Sequence, residues 1–168
     1  MTGMHEGGCL CGAVRYRVTG EPRTAFVCHC TFCQRSSGSA FQVLAFFPKG
    51  NVEFIGATPS TYEHQSPIHG RMLRPQFCTR CGSRVGMTAQ RASDFQLICG
   101  GSFDDPNWFR VQAHIFIDSA VDWMTFPPDV RCYAKLLMTE AGAKEQPLPP
   151  QSKAWSKADL SIGGGVLP

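Results

Sequence analysis

Apolar and polar positions along this chain alternate with the short period of strands. In "AVRYRV", Val14, Tyr16 and Val18 are separated by arginines, the pattern of a strand with one buried face. "FQVLAFF" and "NVEFIG" follow as strands, parted by the turn residues "PKG". Further short strands are expected at "STYEHQ", "RMLRPQF", "SRVGMT", "FQLICGG" and "VQAHIFI". Long segments of 3.6-residue period are absent. Helix is expected only as a short turn after Cys33 and near "VRCYAKLLM". Many short strands punctuated by Gly and Pro predict a mainly β, all-β domain of several short antiparallel strands with little helix.

From about Gly142 the texture changes. "AGAKEQPLPPQSKAWSKADLSIGGGVLP" is rich in Pro, Lys, Ser and Gly and lacks an apolar period. The expected organisation is one domain over 1–141 and a tail over 142–168 that is mobile or pinned only at Trp155.

Composition adds exclusions. At 168 residues, 43% hydrophobic and 17% charged, the chain can bury a core and is not a disordered polymer. A net charge of +3 without a basic stripe argues against nucleic acid as partner. No apolar stretch reaches the roughly 18 residues of a membrane span, and "MTGMHEGGCLCG" lacks the order of an export signal. A cytoplasmic location is expected, and a homo-oligomer is left open.

Cysteine carries the chemistry. Seven of the nine fall into clusters: Cys9 and Cys11, then Cys28, Cys30 and Cys33 in "CHCTFC", then Cys78 and Cys81 in "CTRC". An odd count and no export signal argue against disulfides. Two C-x-x-C and two C-x-C pairs instead have the spacing of thiolate zinc sites. Four thiolates close a structural zinc; three leave the open position of a catalytic one. Spacing permits two divisions. One joins Cys30/Cys33 to Cys78/Cys81 and leaves Cys9, Cys11 and Cys28 over; the other keeps Cys28, Cys30 and Cys33 together and closes Cys9, Cys11, Cys78 and Cys81. The second is favoured, because a trio within six residues can wrap one metal by local backbone alone.

"GGCLCGAVRYRV", "CHCTFCQRSSGSAF" and "FCTRCGSRVG" resemble the three signature blocks of the glutathione-dependent formaldehyde-activating enzyme family, S-(hydroxymethyl)glutathione synthase-like proteins. "HIFIDSAVDW" is similar to a later block of that family. The resemblance runs from about Gly7 to about Trp123. It implies a zinc-stabilised fold of the Mss4-like type and two Zn2+ per chain. By it, Cys9, Cys11, Cys78 and Cys81 are structural-zinc ligands, and Cys28, Cys30 and Cys33 are ligands of an open catalytic zinc. The implied activity is that of a carbon–sulfur lyase joining a small thiol, glutathione, to an aldehyde, formaldehyde. The alternatives are a zinc-stabilised binding module without enzymatic activity, or the same chemistry on another thiol or aldehyde.

Glutathione carries two carboxylates, so its pocket should offer Arg or backbone N–H donors. Arg35 and Ser36, beside the trio, and His114 are the substrate-pocket candidates. His29 lies between two ligands and cannot readily reach the same metal, so an outer or exposed role is expected. Trp123 is a core aromatic or a pocket wall. Cys99 and Cys132 match no metal spacing and are expected to be buried and inert. Asp104 and Asp105 precede Pro106 and look like a turn.

Overall fold

The computed structural model of the chain describes residues 3–137, 143–149, 151 and 154–157. Two compact units divide the chain, one from Met1–Val27 and Gln42–Gln112, the other from Cys28–Phe41 and Ala113–Pro168. No helix among the described residues is long and apolar enough to cross a membrane. The architecture is mainly β, as the alternation predicts.

The first unit opens with β1 (Met4–Gly8), β2 (Val14–Thr19) and β3 (Thr24–Cys28, which ends at the border of the unit). β4 (Gln42–Pro48), β5 (Val52–Gly56), the two-residue β6 (Ser60–Thr61) and β7 (His64–Gln65), β8 (Met72–Phe77), β9 (Arg84–Ala89) and β10 (Phe95–Cys99) follow. β1, β2 and β5 form an antiparallel sheet, with Tyr16 opposite both Gly7 and Phe54. The second sheet of this unit has the order β3-β4-β10-β9-β8-β6, with β7 also on β8. Expected strands at "AVRYRV", "FQVLAFF" and "FQLICGG" coincide with β2, β4 and β10.

β2 shows why period two governs here. Val14, Tyr16 and Val18 are buried, while Arg15 and Arg17 are half-buried. Burying each of those three apolar groups is worth about 1.5–3 kcal/mol. Tyr16 packs edge-on to Phe54 and Phe103, and its hydroxyl meets Ser102 Oγ at 2.8 Å. Its hydroxyl also explains Gly7: a Cβ there would lie 2.3 Å from Tyr16 Oη and 2.4 Å from the Ser102 carbonyl oxygen.

Among the described residues the second unit holds one α-helix, α1 (Thr31–Ser37), and short strands β11 (Ala113–Ile115), β12 (Thr125–Phe126), β13 (Arg131–Cys132) and β14 (Trp155–Ser156). β11 runs parallel to β13, pairing His114 with Cys132. β12 and β14 are antiparallel and pair Phe126 with Trp155. Here two expectations are corrected. The helix begins at Thr31, so Cys33 lies inside it and not before it. "VRCYAKLLM" is no helix through Leu137: Arg131–Cys132 form β13, because the Tyr133 N–H donates to the His114 carbonyl and ties this segment to β11. Met138 lies outside the described residues, as does much of the 142–168 tail. In the part described, Trp155 is buried, with its ring 4.8 Å from that of Phe126. Lys157 Nζ donates to the Ala120 carbonyl at 2.8 Å and lies 2.9 Å from Asp122 Oδ1.

Candidate metal centres

Local geometry gathers Cys28, Cys30 and Cys33. In extended chain, residues two apart share a face, so the end of β3 presents Cys28 and Cys30 to one side. Cys30, with φ −63° and ψ 152°, is still extended and caps α1. Cys33 comes one helical turn later and returns to the same side; its N–H donates to Cys30 Sγ at 3.4 Å. Cys28 and Cys30 sulfurs lie 3.5 Å apart. The same alternation turns His29 the other way.

The three sulfurs lie within 4.8 Å of one another, and among the described residues no other Cys, His, Asp or Glu joins the group. A tetrahedral zinc with bonds of about 2.3 Å holds its sulfurs about 3.8 Å apart, so the spacing suits one metal. All three cysteines are buried. Donation from the Cys28 and Cys33 thiols holds the Cys30 thiol down at about 3 against its burial. Cys28 and Cys33 are pushed up in return, chiefly by the neighbouring sulfurs and also by burial. The nest therefore favours one anionic sulfur, Cys30, beside two neutral thiols, and a bound cation would draw the other two into the anionic form as well.

The second cluster lies in the other unit. Cys9, Cys11, Cys78 and Cys81 also place their sulfurs within 4.8 Å of one another. Cys9 and Cys11 are 3.5 Å apart, Cys11 and Cys78 3.8 Å. Each knuckle ends in a glycine in the left-handed region, Gly12 at φ +75° and Gly82 at +73°. Their N–H groups close the turns on the Cys9 and Cys78 carbonyls at 3.0 and 2.8 Å. Cys9 Sγ accepts from the Val14 N–H at 3.2 Å. Hydrogen bonding to Ser83, through its hydroxyl 3.3 Å away and its backbone, brings the Cys81 thiol down to about 5. Cys11 is exposed and Cys81 half-buried, whereas Cys9 and Cys78 are buried. Of the two divisions open to spacing, the sulfur positions match the four-and-three one. Both clusters could hold metal ions.

Around the trio the candidates scatter. Arg35 is exposed in the last turn of α1, and Ser36 Oγ lies 3.4 Å from the Cys33 carbonyl oxygen. His29 is neither exposed nor among the metal-binding group: it is fully buried, with Nε2 2.9 Å from His114 Nδ1. Burial, aided by the neighbouring His114, pushes His29 down to about 4; burial alone does the same to His114. Spacing gave no sign of this pair, although alternation at Cys28 and Cys30 requires His29 to face away. Trp123 is 73% exposed and so is no core aromatic. Cys99 and Cys132 are buried, and burial raises both thiols to about 11. Asp104 is bound by the Arg15 guanidinium and sits in a bend.

Fold and clusters thus define a mainly β protein with two candidate thiolate metal centres. The sequence model of the family described as "Glutathione-dependent formaldehyde-activating enzyme" matches residues 4–119, and the chain belongs to that family. A curated protein of Halomonas elongata, named "Putative glutathione-dependent formaldehyde-activating enzyme", is 25% identical over 136 residues, 77% of this chain and 86% of that one. A crystal structure of a Rhodobacter sphaeroides protein aligns with TM-score 0.46 at 19% identity, over 59% of this chain and 87% of that one.

Proposed function

We propose that the chain is a zinc-dependent carbon–sulfur lyase that adds a small thiol, glutathione, to an aldehyde, formaldehyde, and reverses that addition. One observation carries the reading: three buried sulfurs suit a single metal, and no fourth ligand group joins them among the described residues. The four-cysteine cluster has a complete ligand set and serves as the structural site. Residues 1–141 carry both clusters and form the catalytic region; 142–168 is the tail. The family's description supports glutathione and formaldehyde as the substrates.

The chemistry requires a thiolate. A free thiol with pKa about 8.5 is only a few per cent ionised at neutral pH. Cys28, Cys30 and Cys33 would hold the zinc, which would supply the Lewis acidity that keeps a small thiol ionised at neutral pH. The chain's own part is to keep Cys28, Cys30 and Cys33 on one side, away from solvent, and to orient the substrates. Arg35 offers a guanidinium fork to a glutathione carboxylate, and Ser36 a hydroxyl beside it.

A second reading is a zinc-stabilised binding module. The observation favouring it is the burial of the trio, with Cys28, Cys30 and Cys33 only 4%, 7% and 2% exposed. One experiment separates the two: measure zinc per chain, then follow S-hydroxymethylglutathione by exchange NMR as glutathione is added with formaldehyde. Two zincs and accelerated exchange are expected. Two zincs with no glutathione binding and no acceleration would overturn the activity and leave the module or another substrate pair.

A further inference from the structure

Two carbonyl oxygens from separate stretches of the chain converge on one side-chain nitrogen beside the three-cysteine cluster. Gln34 Nε2 donates to the His29 carbonyl at 2.6 Å and to the Ser119 carbonyl at 2.7 Å. Both partners only accept, so the amide turns its NH2 towards them and gives each oxygen one hydrogen. Gln34 follows Cys33 in α1, and His29 lies between Cys28 and Cys30. The backbone N–H of Gln34 donates to the Cys30 carbonyl at 3.0 Å. One residue therefore holds the consecutive carbonyls of His29 and Cys30.

That grip acts on the cysteines because a peptide is a rigid plate. The peptide joining His29 to Cys30 is trans, so fixing its carbonyl fixes its plane and the Cα of Cys30 with it. The peptide before it is fixed as well, since the His29 N–H donates to the Ile115 carbonyl at 3.0 Å. With both peptides around His29 held, Cys28 and Cys30 keep their sulfurs 3.5 Å apart. The far end of the tie is also anchored. The Ser119 N–H donates to the Phe116 carbonyl at 3.1 Å, and the Phe116 N–H to the Lys135 carbonyl at 2.9 Å. Among the described residues Phe116 is the non-glycine residue with positive φ, at 57° with ψ 42°. A bulky residue stays in that left-handed region only where its surroundings hold it there.

We propose that Gln34 is a positioning residue of the three-cysteine site, clamping the peptide between Cys28 and Cys30 so that this half of the metal nest is formed before the metal enters. This rests on the reading of the trio as a metal site, and not on which thiol or aldehyde is used. Gln34 supplies no ligand atom. Backbone freedom already removed by the fold is not lost again on metal binding, so a clamped nest holds its ion longer than a loose one.

The test uses cobalt(II) as the metal on the full-length chain. Loss of cobalt to excess EDTA is followed by thiolate-to-cobalt absorption, and Cys30→Ser, which keeps the four-cysteine cluster, identifies the signal of that cluster. Gln34→Met keeps the length and helix propensity of the side chain and removes both donors. It should speed cobalt loss from the three-cysteine site about tenfold or more and leave the four-cysteine site unchanged. Gln34→Arg brings planar N–H donors back to the same carbonyls and should slow the loss again to near the wild-type rate. A wild-type rate at the three-cysteine site in Gln34→Met overturns the proposal. Equal acceleration at both clusters also overturns it, since that marks a general loss of stability, and so does Gln34→Arg losing cobalt as fast as Gln34→Met. A wild-type chain that binds one cobalt overturns the metal reading of the trio and the proposal with it. Two cobalts with no turnover of thiol and aldehyde by the zinc-loaded chain overturns the lyase reading alone, and the dissociation rates still decide the role of Gln34.

Discussion

Single residues decide which cysteines can share a metal. Cys28 and Cys30 are two apart in extended chain, and Cys33 is three further on across the start of α1, so backbone geometry alone superposes their sulfurs. Cys30→Ser tests the ligand role sharply, because serine is also a good helix cap and leaves α1 its N-terminal acceptor. Metal content should fall from two per chain to one, exchange activity should vanish, and the circular dichroism of the strands should stay unchanged. Retention of two metals would exclude Cys30 as a ligand. A second residue-scale expectation concerns pH. His114 is held at about 4 by burial, below its ordinary 6.5. The folded form thus binds fewer protons than the unfolded one between those values. Its contribution to stability is complete above about 6.5 and is lost as pH falls towards 4. From pH 7.5 to pH 5.0, wild type should lose about 2 kcal/mol more than His114→Asn in urea unfolding, with zinc saturating in both. Equal losses would contradict the burial.

Strands and turns were legible wherever one face is apolar. β2, β4 and β10 announce themselves through alternation, and β13 was hidden inside what looked like a helical run because its partner β11 is distant in sequence. β1 was missed for a different reason. "MHEGG" has almost no strand propensity, and it pairs with β2 because Gly7 and Gly8 allow close approach to Tyr16 and to the Val14 carbonyl oxygen. Gly7→Ala would drive a methyl into Tyr16 Oη and the Ser102 carbonyl, and should cost about 2 kcal/mol or more, read as a lower thermal midpoint. The cysteine blocks were legible as candidate metal ligands from spacing, and the four-and-three division from the local closeness of the trio and the family resemblance; the sulfur positions group them the same way. The His29–His114 contact was not legible, since nothing in "CHC" says what faces its middle residue. β14 tests an element by one side chain. Trp155 is the buried anchor of a two-residue strand, so Trp155→Ala should lower stability by about 3 kcal/mol and speed proteolysis of the segment after β13.

At the scale of the whole molecule, the two cysteine clusters differ in the way they meet solvent. The closed four-cysteine cluster has Cys11 exposed and Cys81 half-buried, while the three-cysteine cluster is buried throughout. Coordination number and burial therefore pull in opposite directions. Four ligands should bind metal more tightly than three, yet the three are shielded from reagents in bulk water. Alkylation after metal removal separates these effects. A thiolate reacts and a thiol does not, so exposure and charge together rank the sulfurs. Cys81, brought down to about 5, should be carboxymethylated first by iodoacetate, well before Cys28, Cys30 and Cys33; Cys11 is exposed, but its thiol is raised to about 11 and should follow Cys81. Cys99 and Cys132, buried and raised to about 11, should remain unmodified until the chain unfolds. Cys30 is the discriminating position: its thiol is held at about 3, so only burial protects it. Mass spectrometry of tryptic peptides against time would read the order. If Cys30 reacted with Cys81 in the metal-free chain, the three-cysteine cluster would be open to solvent, and a small thiol would need no conformational change to reach it. If it lagged behind both Cys11 and Cys81, substrate entry would require the surroundings of Cys30 to open, and that opening would set an upper limit on turnover.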